Sequence, residues 1–265
     1  MSDVNPVVLN VSPDGAAMVT LNRPERKNAF DETMIEALTE TFETLRVSET
    51  VRIVFIKGAG TTFCAGADLD WMARQARHDT AENQADAMAL ASMFHKLHNL
   101  PQFTVALVQG GAFGGGAGLV AACDYAVALE STRFCFSEVR LGLTPATISP
   151  YVIEAIGARQ ARALFATAMP FDGRRAFELG LVQELAVDLN DLSAREERLA
   201  DLAFTAAPGA VEDSKHLVRD VAGRMIDGAL LHETAHRIAL RRASEEGKEG
   251  IAAFLEKRTP AWAPK

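Results

Sequence analysis

The stretch Thr104–Asp124, TVALVQGGAFGGGAGLVAACD, decides how the rest of the chain is read. It opens as an apolar strand over Thr104–Val108, passes through six glycines and becomes a small-residue helix near Gly116. A strand that feeds a helix through glycines lets main chain approach a ligand closely. It also leaves the first N–H groups of the helix without internal partners. Such donors suit an oxygen that gains negative charge during a reaction. The segment from Gln102 to Cys123 is uncharged and has GxxxG spacings at Gly110/Gly114 and Gly114/Gly118, so a membrane span must be weighed. A span needs about 20 mostly apolar residues. Six glycines, Gln109 and the mid-segment break rule one out here.

Upstream, Val7–Val11 and Ala16–Leu21 read as strands joined by the turn Ser12-Pro13-Asp14-Gly15. Pro24 ends the second strand, and Asn28 closes a basic loop carrying Arg23, Arg26 and Lys27. From Asp31, a fitting N-cap, Met34, Leu38, Phe42 and Leu45 fall on one face of an amphipathic helix. Val51–Gly58 has the continuous apolar character of a strand covered on both faces. The glycine-bearing loop GAGTTFCAGADLDWM then enters another helix, and a long helix is expected over Ala81–Asn99. Downstream, strands are expected at Tyr125–Leu129 and Arg133–Ser137. From Ser149 the chain reads as helix, with Pro150 near a start and Gly157 as a stop, then Asp172 and Gly180 bounding the next. Three short helices follow Pro208. Alternating strands and helices imply right-handed crossovers and a mostly parallel sheet, an α/β fold. Two of the tail helices are too small to bury their apolar faces alone and must dock on the core or on a neighbouring subunit.

The totals narrow the function. The 265 residues carry a net charge of −8 and 48% apolar residues, ordinary for a globular core. That charge, with no aromatic-basic stripe, argues against nucleic acid as a partner; an anionic ligand must be met by a local basic patch. Three cysteines, Cys64, Cys123 and Cys135, form no even framework and no CxxC. That fits a reducing cytosol, and MSDVNPVV lacks a leader pattern, so a cytoplasmic location is expected.

LNRPERKNAF, TFCAGADL, QGGAFGGGAGLVAACD and FCFSEVRLGLTP occur in the order and spacing of the crotonase (enoyl-CoA hydratase/isomerase) superfamily. The chain resembles that superfamily over nearly its whole length, including the closing AFLEKR. SEVRLGLTPATISPYV and PFDGRRAFELGL look most like the bacterial methylglutaconyl-CoA and isohexenylglutaconyl-CoA hydratases. The resemblance implies a crotonase-like spiral of repeated ββα units over residues 1–205, holding a CoA-thioester site. A C-terminal helical trimerisation region over 206–265 would follow. It also implies a homotrimer or homohexamer and an acyl-CoA thioester substrate, with no metal and no cofactor beyond the coenzyme A of the substrate. The two oxyanion N–H groups would belong to Ala67 and Gly115. Contacts to CoA and the acyl group would come from Glu25, Arg26, Lys27, Ala65, Ala67, Asp68, Leu69, Gly114, Gly118, Phe254 and Lys257. The cations at Arg23/Arg26/Lys27 and Lys257/Arg258 agree in sign with a phosphate-bearing ligand.

Hydratases of this superfamily usually hold one water between two glutamates. The second corresponds to Glu138, but the first, in the pattern GGGxE, is replaced here by Gly118. Three accounts are open. Glu138 relays the proton alone, its carboxyl raised by an apolar setting from Phe134, Phe136, Val139 and Leu141. Alternatively it shuttles a proton between two carbons, which is double-bond isomerisation. In the third account the gap at Gly118 admits a bulkier or carboxylated acyl group. The first and third together point to hydration of a branched or carboxylated enoyl-CoA such as 3-methylglutaconyl-CoA. A distal carboxylate would want a cation; Arg74 and Arg77 qualify by position only, and a solvated helix face is the better account of them.

A rival from another class is His232-Glu233-Thr234-Ala235-His236, which fits the HExxH pattern of zinc peptidases, with Glu256 twenty residues further on. It lies in a tail helix with no apolar active-site strand before it. His95 and His98 lack acidic or cysteine partners in sequence, the glycines do not make GxGxxG, and no GxSxG is present.

Overall fold

Ala17, Val19 and Leu21 are buried while Ala16, Met18 and Thr20 are half-buried, the period-two signature of a strand with one covered face. This strand, β2 (Ala16–Leu21), pairs antiparallel with β1 (Val7–Val11), Val7 lying opposite Leu21. The computed structural model describes residues 5–263; residues 1–4, part of the stretch read for a leader, and residues 264–265 lie outside it. From β2 the main sheet runs parallel through β3 (Ile53–Gly58), β4 (Phe103–Val108), β6 (Tyr125–Leu129) and β9 (Glu184–Ala186). A second sheet sets β5 (Gly111–Phe113) beside β7 (Arg133–Cys135), and β7 beside β8 (Phe171–Asp172). Consecutive turns of chain thus stack as a spiral, in the α/β architecture expected.

One face of the main sheet carries α1 (Glu32–Arg46) and α3 (Thr80–His98), joined to the core by Met34, Leu38, Phe42, Phe94 and Leu97. Asp31 caps α1 by accepting from the Met34 N–H at 2.9 Å. The other face buries Ile53, Phe55, Val105 and Leu107 against Leu192 and Leu199 of α7 (Leu189–Thr205). Between the two sheets lies α4 (Gly115–Ala122), whose residues from Gly116 to Val120 are all buried.

Several boundaries differ from expectation. β7 stops at Cys135 because Phe136 turns into the core against Phe165, and a 3-10 turn starts at Glu138. Gly157, at φ 76° and ψ 153°, breaks α5 (Ser149–Thr167), but the helix resumes beyond it. β5 and β9 are three residues each, too short to leave a periodic signal. The tail helices α8 (Pro208–Val221), α9 (Gly228–Ala243) and α10 (Glu245–Glu256) bury almost nothing: none of α8, Leu230 of α9 and Ala253 of α10. Phe254 and Leu255 remain 83% and 73% exposed, and none of the described residues covers them. Among the described residues, no helix is long and apolar enough to cross a membrane.

The tail is nevertheless tied to the core, among other contacts, by a half-buried ion pair. The Asp124 carboxylate accepts from the Thr104 N–H at 2.8 Å and its hydroxyl at 2.9 Å, and faces the Lys215 ammonium of α8 at 2.6 Å. Lys215 also donates to the carbonyls of Leu100 and Gln102 at 2.7 Å each. Burial pulls the Lys215 ammonium below its ordinary value, and the Asp124 charge opposes that pull. Removing the anion leaves the largely desolvated Lys215 ammonium with two carbonyls but no counter-charge. Asp124→Ala is therefore expected to cost about 3 kcal/mol and to lower the melting temperature by roughly 10 °C, measured by calorimetry.

Candidate active site

Two glycine turns meet edge to edge. Gly66 (φ +89°) follows β3, and Gly114 (φ +49°, ψ −118°) caps α4; neither conformation suits a residue with a Cβ. Their approach is at main-chain distance. A Cβ on Gly66 would stand 2.9 Å from the Phe113 carbonyl oxygen, and one on Gly116 2.8 Å from Cys64 Cβ. The Cys64 N–H donates to Gly111 at 3.1 Å, and the Phe113 N–H donates to Cys64 at 3.0 Å. The two turns are therefore one rigid unit.

That unit aims the donors. Phe30 donates to the Gly66 carbonyl and accepts from the Asp68 N–H, both at 2.7 Å, as in a parallel bridge centred on Ala67. In such a bridge the N–H of the central residue points away from its partner. Gly115 is the first residue of α4, so its N–H has no place in the helical ladder, which begins with Gly118 N–H to Gly114 O at 3.0 Å. Ala67 and Gly115 border the same cavity of about 380 Å³, together with Ala65, Gly66 and Gly114.

Glu138 projects into this cavity from the start of its 3-10 turn, and a Cβ on Gly114 would lie 3.0 Å from its Oε1. Among the described residues its buried Oε2 has no hydrogen-bond partner, and no other carboxylate lines the cavity. Burial raises the carboxyl above the usual glutamate range. The apolar setting is only partly the one read from the neighbouring sequence. Phe134 and Phe136 pack inward on Phe171 and Phe165, and Val139 faces outward. Of the four neighbours, only Leu141 lines the cavity, and Phe30, Leu143, Pro145 and Ile148 complete the wall.

Other residues singled out in sequence fall in different places. Leu69, 79% exposed, sits on the rim. Asp68 is buried and committed: it caps α2 (Leu69–Gln75) through the Asp70 and Trp71 N–H groups and takes Arg23 at 3.4 Å. Arg26 is paired with Asp70 at 3.0 Å on the exposed loop, and the Lys27 carbonyl accepts from the Ala65 N–H at 3.0 Å. Phe254 and Lys257 lie at the end of α10 and do not line this cavity. Gly118 requires a correction: it leaves no gap. A Cβ there would meet Ile148 Cβ at 2.9 Å and Phe94 Cζ at 3.2 Å, with Ile148 Cγ2 closer still, and Gly118 does not reach the cavity. Ile148 already fills the space. The sequence analysis did not single out Ile148, Trp71, Gln75 or Asn83, which the structure places on the cavity wall. In the HExxH segment Glu233 is held by Arg224 at 2.7 Å and Arg237 at 2.8 Å, and among the described residues no cluster of three His, Cys, Asp or Glu could hold a metal. Burial pushes the Cys64 thiol up to about 12, which suits a packing role.

The family model for enoyl-CoA hydratase/isomerase matches residues 12–265. The chain belongs to that family. It is an enzyme of the crotonase superfamily, with near relatives in sequence and in structure. An enoyl-CoA hydratase of Alternaria alternata, ACTT6, is 34% identical over 91% of this chain and 78% of its own. The crystal structure of an enoyl-CoA hydratase from Shewanella pealeana superposes with a TM-score of 0.94 at 40% identity, covering 98% of this chain and 97% of that one. Pseudomonas aeruginosa AtuE superposes at 0.93 with 36% identity, covering 98% and 100%.

The filled space beside Gly118 has a direct test. Gly118→Ala is expected to lose about 1–3 kcal/mol by overpacking. The double variant with Ile148→Ala should lose less than the sum of the two single losses. Urea denaturation of the three variants measures both.

Proposed function

We propose that this protein hydrates the 2,3 double bond of an enoyl-CoA, with the Ala67 and Gly115 N–H groups holding the thioester oxygen and Glu138 acting as the single acid/base. The observation that carries this reading is the shared cavity: two main-chain N–H groups and one unpartnered, desolvated carboxylate border it. As the water oxygen bonds to C3, electrons of the double bond move onto C2 and the thioester oxygen, where fixed donors meet the new charge. The water proton passes to the Glu138 carboxylate and then to C2, so the carboxylate is restored. No group beyond the coenzyme A of the substrate enters this scheme.

For the acyl group we propose a branched chain of the kind found in 3-methylglutaconyl-CoA. The apolar wall around Leu90, Leu143 and Ile148 supports the branched part. The distal carboxylate has less support: among the described residues no Lys, Arg or His lines the cavity, and Arg74 is held on both oxygens of Glu32 at 2.7 Å. Isomerisation of a 3-enoyl-CoA is the second reading, favoured by the single carboxylate, which suffices to move a proton between carbons. We further infer a homotrimer or homohexamer in the cytoplasm, since α8–α10 expose apolar faces that a second copy would cover. In such an assembly Phe254, Lys257, Arg26 and Lys27 are the side chains proposed to meet CoA.

A panel of crotonyl-, 3-enoyl- and 3-methylglutaconyl-CoA, with products identified by mass and NMR, separates these reactions: hydration adds one water, isomerisation adds nothing. Glu138→Gln should reduce turnover by roughly 10²–10⁴-fold while CoA binding persists; near-normal turnover refutes the assignment. The ionised form must accept the first proton, so kcat/KM should rise as pH climbs through the raised Glu138 value. Its acid limb is expected clearly above the ordinary glutamate value of about 4.3, seen in a pH–rate profile.

A further inference from the structure

Behind the loop that carries Ala67 stands a polar side chain that touches nothing in the cavity. Asn28 is fully buried and adopts φ +56°, the left-handed region, immediately after Lys27 at φ +53°. Its Oδ1 accepts from the Arg23 N–H at 2.9 Å, and its Nδ2 donates to the carbonyls of Ala59 at 2.9 Å and Thr62 at 2.8 Å. Its own N–H donates to the Arg23 carbonyl at 2.9 Å. The amide orientation is chemically forced, since a flipped amide would set its oxygen against two carbonyl oxygens.

These bonds join the chain leaving β2 to the chain leaving β3. Residues 23–30 then act as the template for residues 64–68: the Ala65 N–H donates to Lys27, the Phe30 N–H to Gly66, and the Asp68 N–H to Phe30. Every main-chain bond that orients the Ala67 amide toward the cavity therefore starts from the segment that Asn28 shapes. Loss of the Asn28 side chain would leave two inward carbonyls unpaired and release that template, displacing a donor that works only when held in place.

We propose that Asn28 is a positioning residue for the oxyanion donor at Ala67, acting through the loop it ties together. This rests on the reading of Ala67 as an oxyanion donor. Two variants separate its backbone role from its side-chain role. Asn28→Gly keeps the left-handed conformation at no steric cost and removes only the three side-chain bonds. Asn28→Asp keeps the shape but faces a carboxylate toward the Ala59 and Thr62 carbonyls.

The measurement is kcat and KM with crotonyl-CoA, or whichever panel substrate the wild type turns over fastest, taken well below each variant's melting temperature. For Asn28→Gly we expect kcat to fall by about 10²-fold with KM within threefold of wild type, and a lower kcat again for Asn28→Asp at neutral pH. A folded Asn28→Gly enzyme with a lower melting temperature but wild-type kcat would show a purely structural role and overturn the proposal. So would an Asn28→Asp enzyme that matches wild type. A wild-type protein that turns over no acyl-CoA would instead sink the proposed function itself, which keeps the two failures apart.

Discussion

The site depends on two stretches of main chain lying against each other with no side chain between them. Chain leaving β3 and chain leaving β4 approach closely enough that a single carbon added at Gly66 or Gly116 would overlap the opposite strand. Steric exclusion of that kind is stiffer than any hydrogen bond. It explains why the donors need no ligand to be aligned: the N–H of Ala67 faces outward because its neighbours are paired to Phe30, and the N–H of Gly115 because a helix starts there. Charge stabilisation by groups that are already oriented avoids a reorganisation cost at the moment of reaction.

The environment of Glu138 completes the picture. Its carboxyl is desolvated by side chains of its own 3-10 turn, the 143–145 loop and the start of α5, together with Phe30 from before α1. A short element with few contacts of its own thus holds the group with the most perturbed surroundings in the cavity. Arg140, donating to the Ala168 carbonyl at 2.7 Å, ties that turn to the far end of α5.

Much of this was legible in the residues alone. Long periodic elements such as α1, with Met34, Leu38, Phe42 and Leu45 all buried, and strands such as β3 announce themselves through burial pattern. The glycine turns were legible because glycine at a strand-to-helix junction has few other uses. What could not be read was anything fixed by contact across the fold. The three-residue strands β5 and β9 exist only because of their partners. Much of the wall around Glu138 came from residues distant in sequence, such as Phe30 and Ile148, because Phe134 and Phe136 had the core to fill. Gly118 looked like an opening because its missing side chain is visible in sequence, whereas the Ile148 side chain that takes the space thirty residues later is not.

That interlock between Gly118 and Ile148 has a bearing on descent. A site with paired acids and a site with one differ here by at least two linked changes, and their order matters. A lineage that enlarged residue 118 first would pass through a crowded, poorly folding intermediate, while one that trimmed residue 148 first would meet only a cavity. The order of the changes is therefore constrained: space at residue 148 has to open before residue 118 can grow.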